Sequence, residues 1–141
     1  MSKKQRLLFS GLLACGITIL VLGFMGGADE DTDVSVSGNP AIDALIPGRE
    51  TNVLRRTEVG IDLAEGYEAA LTLETSDGRT IQVPANQLDT NLAGLGRYTF
   101  RPGDGQVLDV FPPQSNCVTA TYWPVTDRND AATIRWCFEV T

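Results

Sequence analysis

The stretch NCVTATYWPVTDRNDAATIRWCF, Asn116 to Phe138, holds two of the chain's three cysteines near its two ends, and its reading decides the fold. Two extended segments, Cys117 to Trp123 and Ala132 to Val140, flank the polar loop Pro124 to Ala131. Pairing them antiparallel with Cys117 opposite Cys137 centres the hairpin on Asp127, inside that loop. The same register sorts the side chains. Cys117, Thr119 and Thr121 oppose Cys137, Arg135 and Thr133 on one face, while Val118, Ala120 and Tyr122 oppose Trp136, Ile134 and Ala132 on the other, extended by Phe138 and Val140. One wet face and one apolar face are what a half-buried sheet requires. Cβ atoms directly opposed across such a ladder stand about 4.5 to 5.5 Å apart, within a small adjustment of the roughly 3.8 Å of a disulfide.

A metal site or a catalytic thiol fits these cysteines less well. The chain has no histidine and no Cys-x-x-Cys pair, so zinc would need two thiolates and scattered carboxylates, and a nucleophilic thiol would lack its imidazole. A structural disulfide between Cys117 and Cys137 is the expectation, and with it an oxidising compartment.

Working outward, period-two alternation continues through Val59, Ile61 and Leu63, through Ala69, Leu71 and Leu73, and again through Tyr98 and Phe100. Ser76-Asp77-Gly78-Arg79 carries a hairpin signal before Ile81 and Val83. Asn52 to Leu54 reads as an edge piece, and Val107 to Phe111 as a further short strand ending at Pro112-Pro113. Ala41 to Leu45 reads as a turn. Pro84 to Leu95 reads as a long connection with a short helix at Ala85 to Leu88, its Leu88, Leu92 and Leu95 closing one end of the core. Many short strands between turn signals predict an all-β, immunoglobulin-like sandwich of about seven strands.

Ahead of this domain lies a different kind of sequence. Leu7 to Met25 contains 19 residues without a charge, which as a helix would span roughly 28 Å, close to a bilayer's hydrocarbon core. Lys3, Lys4 and Arg6 precede it and Asp29, Glu30, Asp31 and Asp33 follow. That asymmetry predicts a basic cytoplasmic tail at 1–6, a single transmembrane anchor at 7–25 and an extracytoplasmic C-terminal part. Gly26-Gly27-Ala28 offers an alternative cleavage site, and Leu12 to Gly16 resembles a lipobox that would lipidate Cys15. The length of the apolar run favours an uncleaved anchor. Residues 26–39 are small, polar and acidic and read as a flexible tether to the domain at 40–141. Its alternating aspartates fail as a calcium loop, having Val34 and Pro40 where Gly and Glu are needed.

Function classes are narrowed by what is missing. Beyond the apolar run the chain carries eight arginines against eighteen carboxylates, a net charge of −10, with neither histidine nor lysine. Such a surface repels nucleic acid and anionic lipid, and without those two residue types most acid–base and covalent catalysis has no carrier. No cofactor and no enzymatic activity are expected. Binding is left open. Trp123, at the rim of the hairpin loop, is a candidate contact residue with Arg128 on that loop, although an aromatic there more often packs over the disulfide or closes the open end of the sandwich. Arg55 and Arg56, beside the first edge piece, are candidates for an acidic partner or for local ion pairs.

The succession VGIDLAEGYEAALTLE, TIQVP, RYTFRPGDG and CVTATYW with ATIRWCFEV resembles the bacterial extracytoplasmic immunoglobulin-like sandwich domains of membrane-anchored proteins, over roughly Ala44 to Thr141. The resemblance implies a recognition, spacer or accessory module. Antibody-type domains bridge their two sheets, whereas both cysteines here belong to one hairpin, so no antigen-receptor relationship follows. Periplasmic copper-binding domains of similar shape use histidine and often methionine, which the outer part lacks, so copper binding is not carried over. The expected partner is a protein or cell-envelope component, with the membrane reached through Leu7 to Met25. An accessory subunit acting through its transmembrane helix, or a small-ligand carrier, is the alternative.

Overall fold

The structure, a computed structural model, describes residues 38–90 and 93–141. The basic tail, the anchor with Cys15 and all but the last two residues of the tether lie outside them. Among the described residues no helix is long and apolar enough to cross a membrane.

Among the described residues eight strands form two sheets: β1 (Ile42–Ile46), β2 (Asn52–Val53), β3 (Val59–Leu63), β4 (Tyr67–Glu74), β5 (Thr80–Gln82), β6 (Arg97–Phe100), β7 (Gln114–Pro124) and β8 (Ala132–Val140). One sheet has the order β1-β3-β6 and the other β2-β8-β7-β4-β5. All pairings are antiparallel except β2 with β8. The two inner faces meet over one core. Val59, Ile61, Leu63 and Phe100 come from the smaller sheet, and Leu71, Leu73, Val118, Ala120, Trp136 and Phe138 from the larger, each at most 1% exposed. Burying an aliphatic or aromatic side chain of this size stabilises by about 1.5 to 3 kcal/mol, so the alternation seen in the sequence is the main force assembling the sheets.

The β7–β8 register is the one expected. Cys117 faces Cys137, Thr119 faces Arg135 and Val118 faces Trp136, with pairing running from Gln114 opposite Val140 to Tyr122 opposite Ala132. Cys117 and Cys137 form a disulfide, their Cα atoms 4.0 Å apart. The Cys137 carbonyl accepts a hydrogen bond from the Glu50 N–H on its other side, at 2.9 Å. The pair therefore turns its backbone polar groups away from each other, the arrangement that brings opposed side chains closest. At Asp77-Gly78, Gly78 takes φ +86° and its N–H donates to the Thr75 carbonyl, closing the expected β4–β5 hairpin.

Two expectations fail, each for a physical reason, and a third holds in part. Ile42 to Ile46 is a strand rather than a turn: a bulge between Ile42 and Ala44 breaks the alternation that would have revealed it. Val107 to Phe111 is irregular. Its Leu108 and Phe111 are buried because the segment plugs the core, and Phe111 pairs by backbone with Arg55 instead of with a strand. The connection after Pro84 holds two 3-10 turns, Ala85–Gln87 and Ala93–Leu95; Leu88 packs on the core, while Leu95 is 71% exposed.

Two glycines set close approaches. A Cβ at Gly60 would stand 2.1 Å from the Tyr98 carbonyl oxygen of the neighbouring strand. At Gly96, with φ +83°, it would stand 2.0 Å from that of Leu63, so β6 can enter the sheet there only through a residue without a side chain.

Candidate functional site

The larger sheet's outer face carries the candidate contact residues. Along β4 the outward positions are Glu68, Ala70, Thr72 and Glu74; opposite them on β7 lie Trp123, Thr121, Thr119 and Cys117. Thr133, Arg135 and Cys137 complete the face on β8. The face is mostly polar, and charges on it are locally paired: Arg135 Nε donates to Glu74 Oε2 at 2.6 Å. Both side chains are substantially exposed, so this pair contributes little to stability.

At the hairpin end the geometry is more specific. Trp123 lies opposite Glu68, and its indole Nε1–H donates to Glu68 Oε2 at 3.1 Å. From the following loop Arg128 places its guanidinium 4.8 Å from the centroid of the Trp123 ring, a cation–π stack. The indole is thus held edge-on by a carboxylate and face-on by a cation, half-buried rather than packed into the core. Tyr122 and Trp136, by contrast, point inward, at 7% and 1% exposure. The loop is ordered by its own bonds. Asp127 N–H donates to the Pro124 carbonyl, Asn129 N–H to Asp127 Oδ1, and Val125 N–H to the Gly66 carbonyl of the adjacent β3–β4 turn. Val125, 56% exposed, adds an apolar patch beside the stack.

Arg55 and Arg56 are not brought to this corner. Val53 sits beside Val140, which faces Gln114, eight residues and roughly 26 Å along β7 from Tyr122. Arg55 Nε donates to the Phe111 carbonyl at 3.2 Å while the Phe111 N–H donates back to the Arg55 carbonyl at 2.8 Å. That reciprocal pair is structural stitching. Arg56 reaches Asp104 at 3.2 Å on an exposed surface.

The sequence reading overlooked Asn116, fully buried at the same far end. Its Nδ2 donates to the Pro112 and Gln114 carbonyls at 2.9 and 3.0 Å, and its Oδ1 accepts the Ser76 N–H at 3.0 Å. These bonds hold Gln114 in a left-handed conformation, φ +80°, and tie the β4–β5 hairpin to the start of β7. An asparagine inside a strand that begins after two prolines was the available signal.

No protein-family model matches the chain, and no curated protein matches it. Solved structures do. The chain is similar to CopC from Methylosinus trichosporium OB3b, with a TM-score of 0.54 and 11% identity over 72% of this chain and 93% of that one. It is similar also to PcoC, a methionine-rich copper resistance protein from Escherichia coli, with a TM-score of 0.50 and 15% identity over 73% and 99%. At these identities the likeness establishes the two-sheet sandwich fold. The all-β architecture and the disulfide read from the sequence stand.

Proposed function

We propose that the protein is a non-catalytic binding module of the cell envelope, anchored through Leu7 to Met25, whose acidic, disulfide-locked sandwich makes its contacts outside the membrane. The observation that carries this reading is the Trp123 corner. A large amphipathic ring, held rigid by Glu68 and Arg128 beside the exposed Val125, has the composition of a protein-contact anchor. The Cys117–Cys137 bond supports an oxidising compartment. The lack of histidine and lysine beyond the apolar run supports a role without catalysis.

The copper resistance named for PcoC raises a carrier as the second reading. Copper(I) favours thioether, thiolate and imidazole donors. The only methionines here are Met1 and Met25, there is no histidine, and Cys117 and Cys137 are bonded to each other. Among the described residues no three cysteine or carboxylate side chains converge. The donor set does not fit, and we assign the chain no copper chemistry.

Crosslinking in intact cells, with a photoreactive residue in place of Val125, tests the binding reading. A discrete crosslinked partner is expected, with yield reduced at least several-fold by Trp123→Ala and Arg128→Ala together and retained when Leu7 to Met25 is replaced by an unrelated anchor. A yield insensitive to the first change and abolished by the second would transfer the contact to the transmembrane segment.

A further inference from the structure

Beside β6, where Asp89 pairs with Thr99, an open groove of about 340 Å³ runs between two connections that the sequence does not place together. One wall is the segment after β5, with Asn86, Gln87, Asp89 and Thr90; the other is the segment after β6, with Arg101 and Gln106. The walls are tied before any ligand arrives. Gln87 Oε1 accepts the Val107 N–H at 2.7 Å, Asp89 pairs by backbone with Thr99 of β6, and the Gly103 N–H donates to the Leu108 carbonyl at 3.1 Å. Leu88 anchors the first wall by packing on the core and is the one apolar residue among the described residues of the lining.

The chemistry of the lining selects a ligand class. Gln87 spends its oxygen on Val107, which leaves its NH₂ group for the groove. The side chains of Asn86, Thr90 and Gln106 make no hydrogen bond with any described residue. Carboxamides and a hydroxyl each both donate and accept, as the hydroxyl groups of a polyol do. Apolar ligands are disfavoured because, among the described residues, the lining is polar apart from Leu88. Ionic ligands are disfavoured because the one cation, Arg101, is already 3.4 Å from Glu58 Oε2 and shares the groove with Asp89. We infer that this groove binds a neutral, hydroxyl-rich ligand, the saccharide class, through Asn86, Gln87, Thr90 and Gln106. Among the described residues no aromatic ring offers a stacking platform in the lining, so a single short oligosaccharide binds weakly.

This assignment goes beyond the binding reading above and does not depend on Trp123. Its test uses the full chain in a zwitterionic detergent without a sugar headgroup. Side-chain amide resonances are followed while maltotetraose, chitotetraose and, separately, a polyanionic oligosaccharide are titrated in. Saturable shifts of the Asn86, Gln87 and Gln106 amides with a neutral sugar are expected, with binding weakened at least tenfold by Asn86→Ala plus Gln106→Ala. Both residues are exposed, and an unchanged amide spectrum elsewhere will confirm that the variant is folded. Absence of saturation with every neutral sugar, binding restricted to the polyanion, or binding indifferent to the double substitution would each overturn the assignment. Because the crosslinking experiment reads Val125, Trp123 and Arg128, none of which lines the groove, either proposal can fail while the other stands.

Discussion

The two ends of the larger sheet use the same residue types to opposite purposes. At the hairpin end, Trp123, Glu68 and Arg128 hold one another at the surface, and the adjoining loop makes its bonds mostly to itself. At the other end, Arg55 is consumed by the Phe111 backbone, Asn116 is buried with three hydrogen bonds, and Phe111 meets Phe138 edge to face with ring centroids 5.3 Å apart. Polar groups enclosed by other segments become part of the fold, because leaving any one unpaired costs about 1 to 3 kcal/mol. Those at the rim bond to one another and stay in reach of solvent, where a partner can meet them. The disulfide lies between the two regimes, on the wet face but nearer the buried end.

Substitutions at the two ends therefore separate widely in size. Phe111→Ala will cost about 4 kcal/mol in chemical unfolding, since the ring is fully buried and the loop that holds it cannot close over the void. A cost below about 1 kcal/mol would show that the far end yields as readily as the hairpin end. Replacing Cys117 and Cys137 together by serine will cost roughly 3 kcal/mol, the loop-entropy value for a closure of this length. The β7–β8 amide pattern will survive that change, because the register is set by nine residue pairs.

Asn116→Ala will cost about 1 to 3 kcal/mol, as it removes a fully buried side chain and the partner of the Ser76 N–H and of two carbonyls. Hydrogen exchange should localise the damage to the β4–β5 hairpin and Gln114. Trp123→Ala will cost less than about 1 kcal/mol in the same unfolding assay, since a half-exposed ring and a surface cation–π contact contribute little to folding. A larger loss would move Trp123 from the contact surface into the fold.

The smallest expected effect is one of pH. Hydrogen bonding from Thr75, and then from Arg79, holds the Asp77 carboxyl below the ordinary aspartate value. Its contribution is complete above about pH 4, where the unfolded chain's aspartate is also ionised, and fades as pH falls through the depressed folded value. Asp77→Asn should flatten that acid limb of the unfolding curve and leave neutral-pH behaviour nearly unchanged. An acid limb of unaltered slope would assign it to other carboxylates.

Legibility followed the range of the interactions. The β7–β8 register could be read because two cysteines and nine alternating positions all agreed on one pairing across a single loop. Leu95 and Phe111 could not be told apart. Both are large apolar residues in connections rich in glycine or proline, yet one is 71% exposed and the other fully buried, and the difference is made by Arg55, 56 positions from Phe111. The saccharide-class groove was hidden for the same reason, its walls having no periodicity and meeting only when Gln87 reaches Val107.

Local pattern alone was enough to determine an all-β domain, its closing hairpin, the cysteine pairing and the absence of imidazole chemistry, because alternation and composition act between near neighbours and need no partner segment. Which loops plug the core, which arginine stitches and which stays at the surface, and where a groove opens were decided only when the two sheets packed. Those outcomes depend on distant segments competing for the same buried volume and the same unpaired backbone groups.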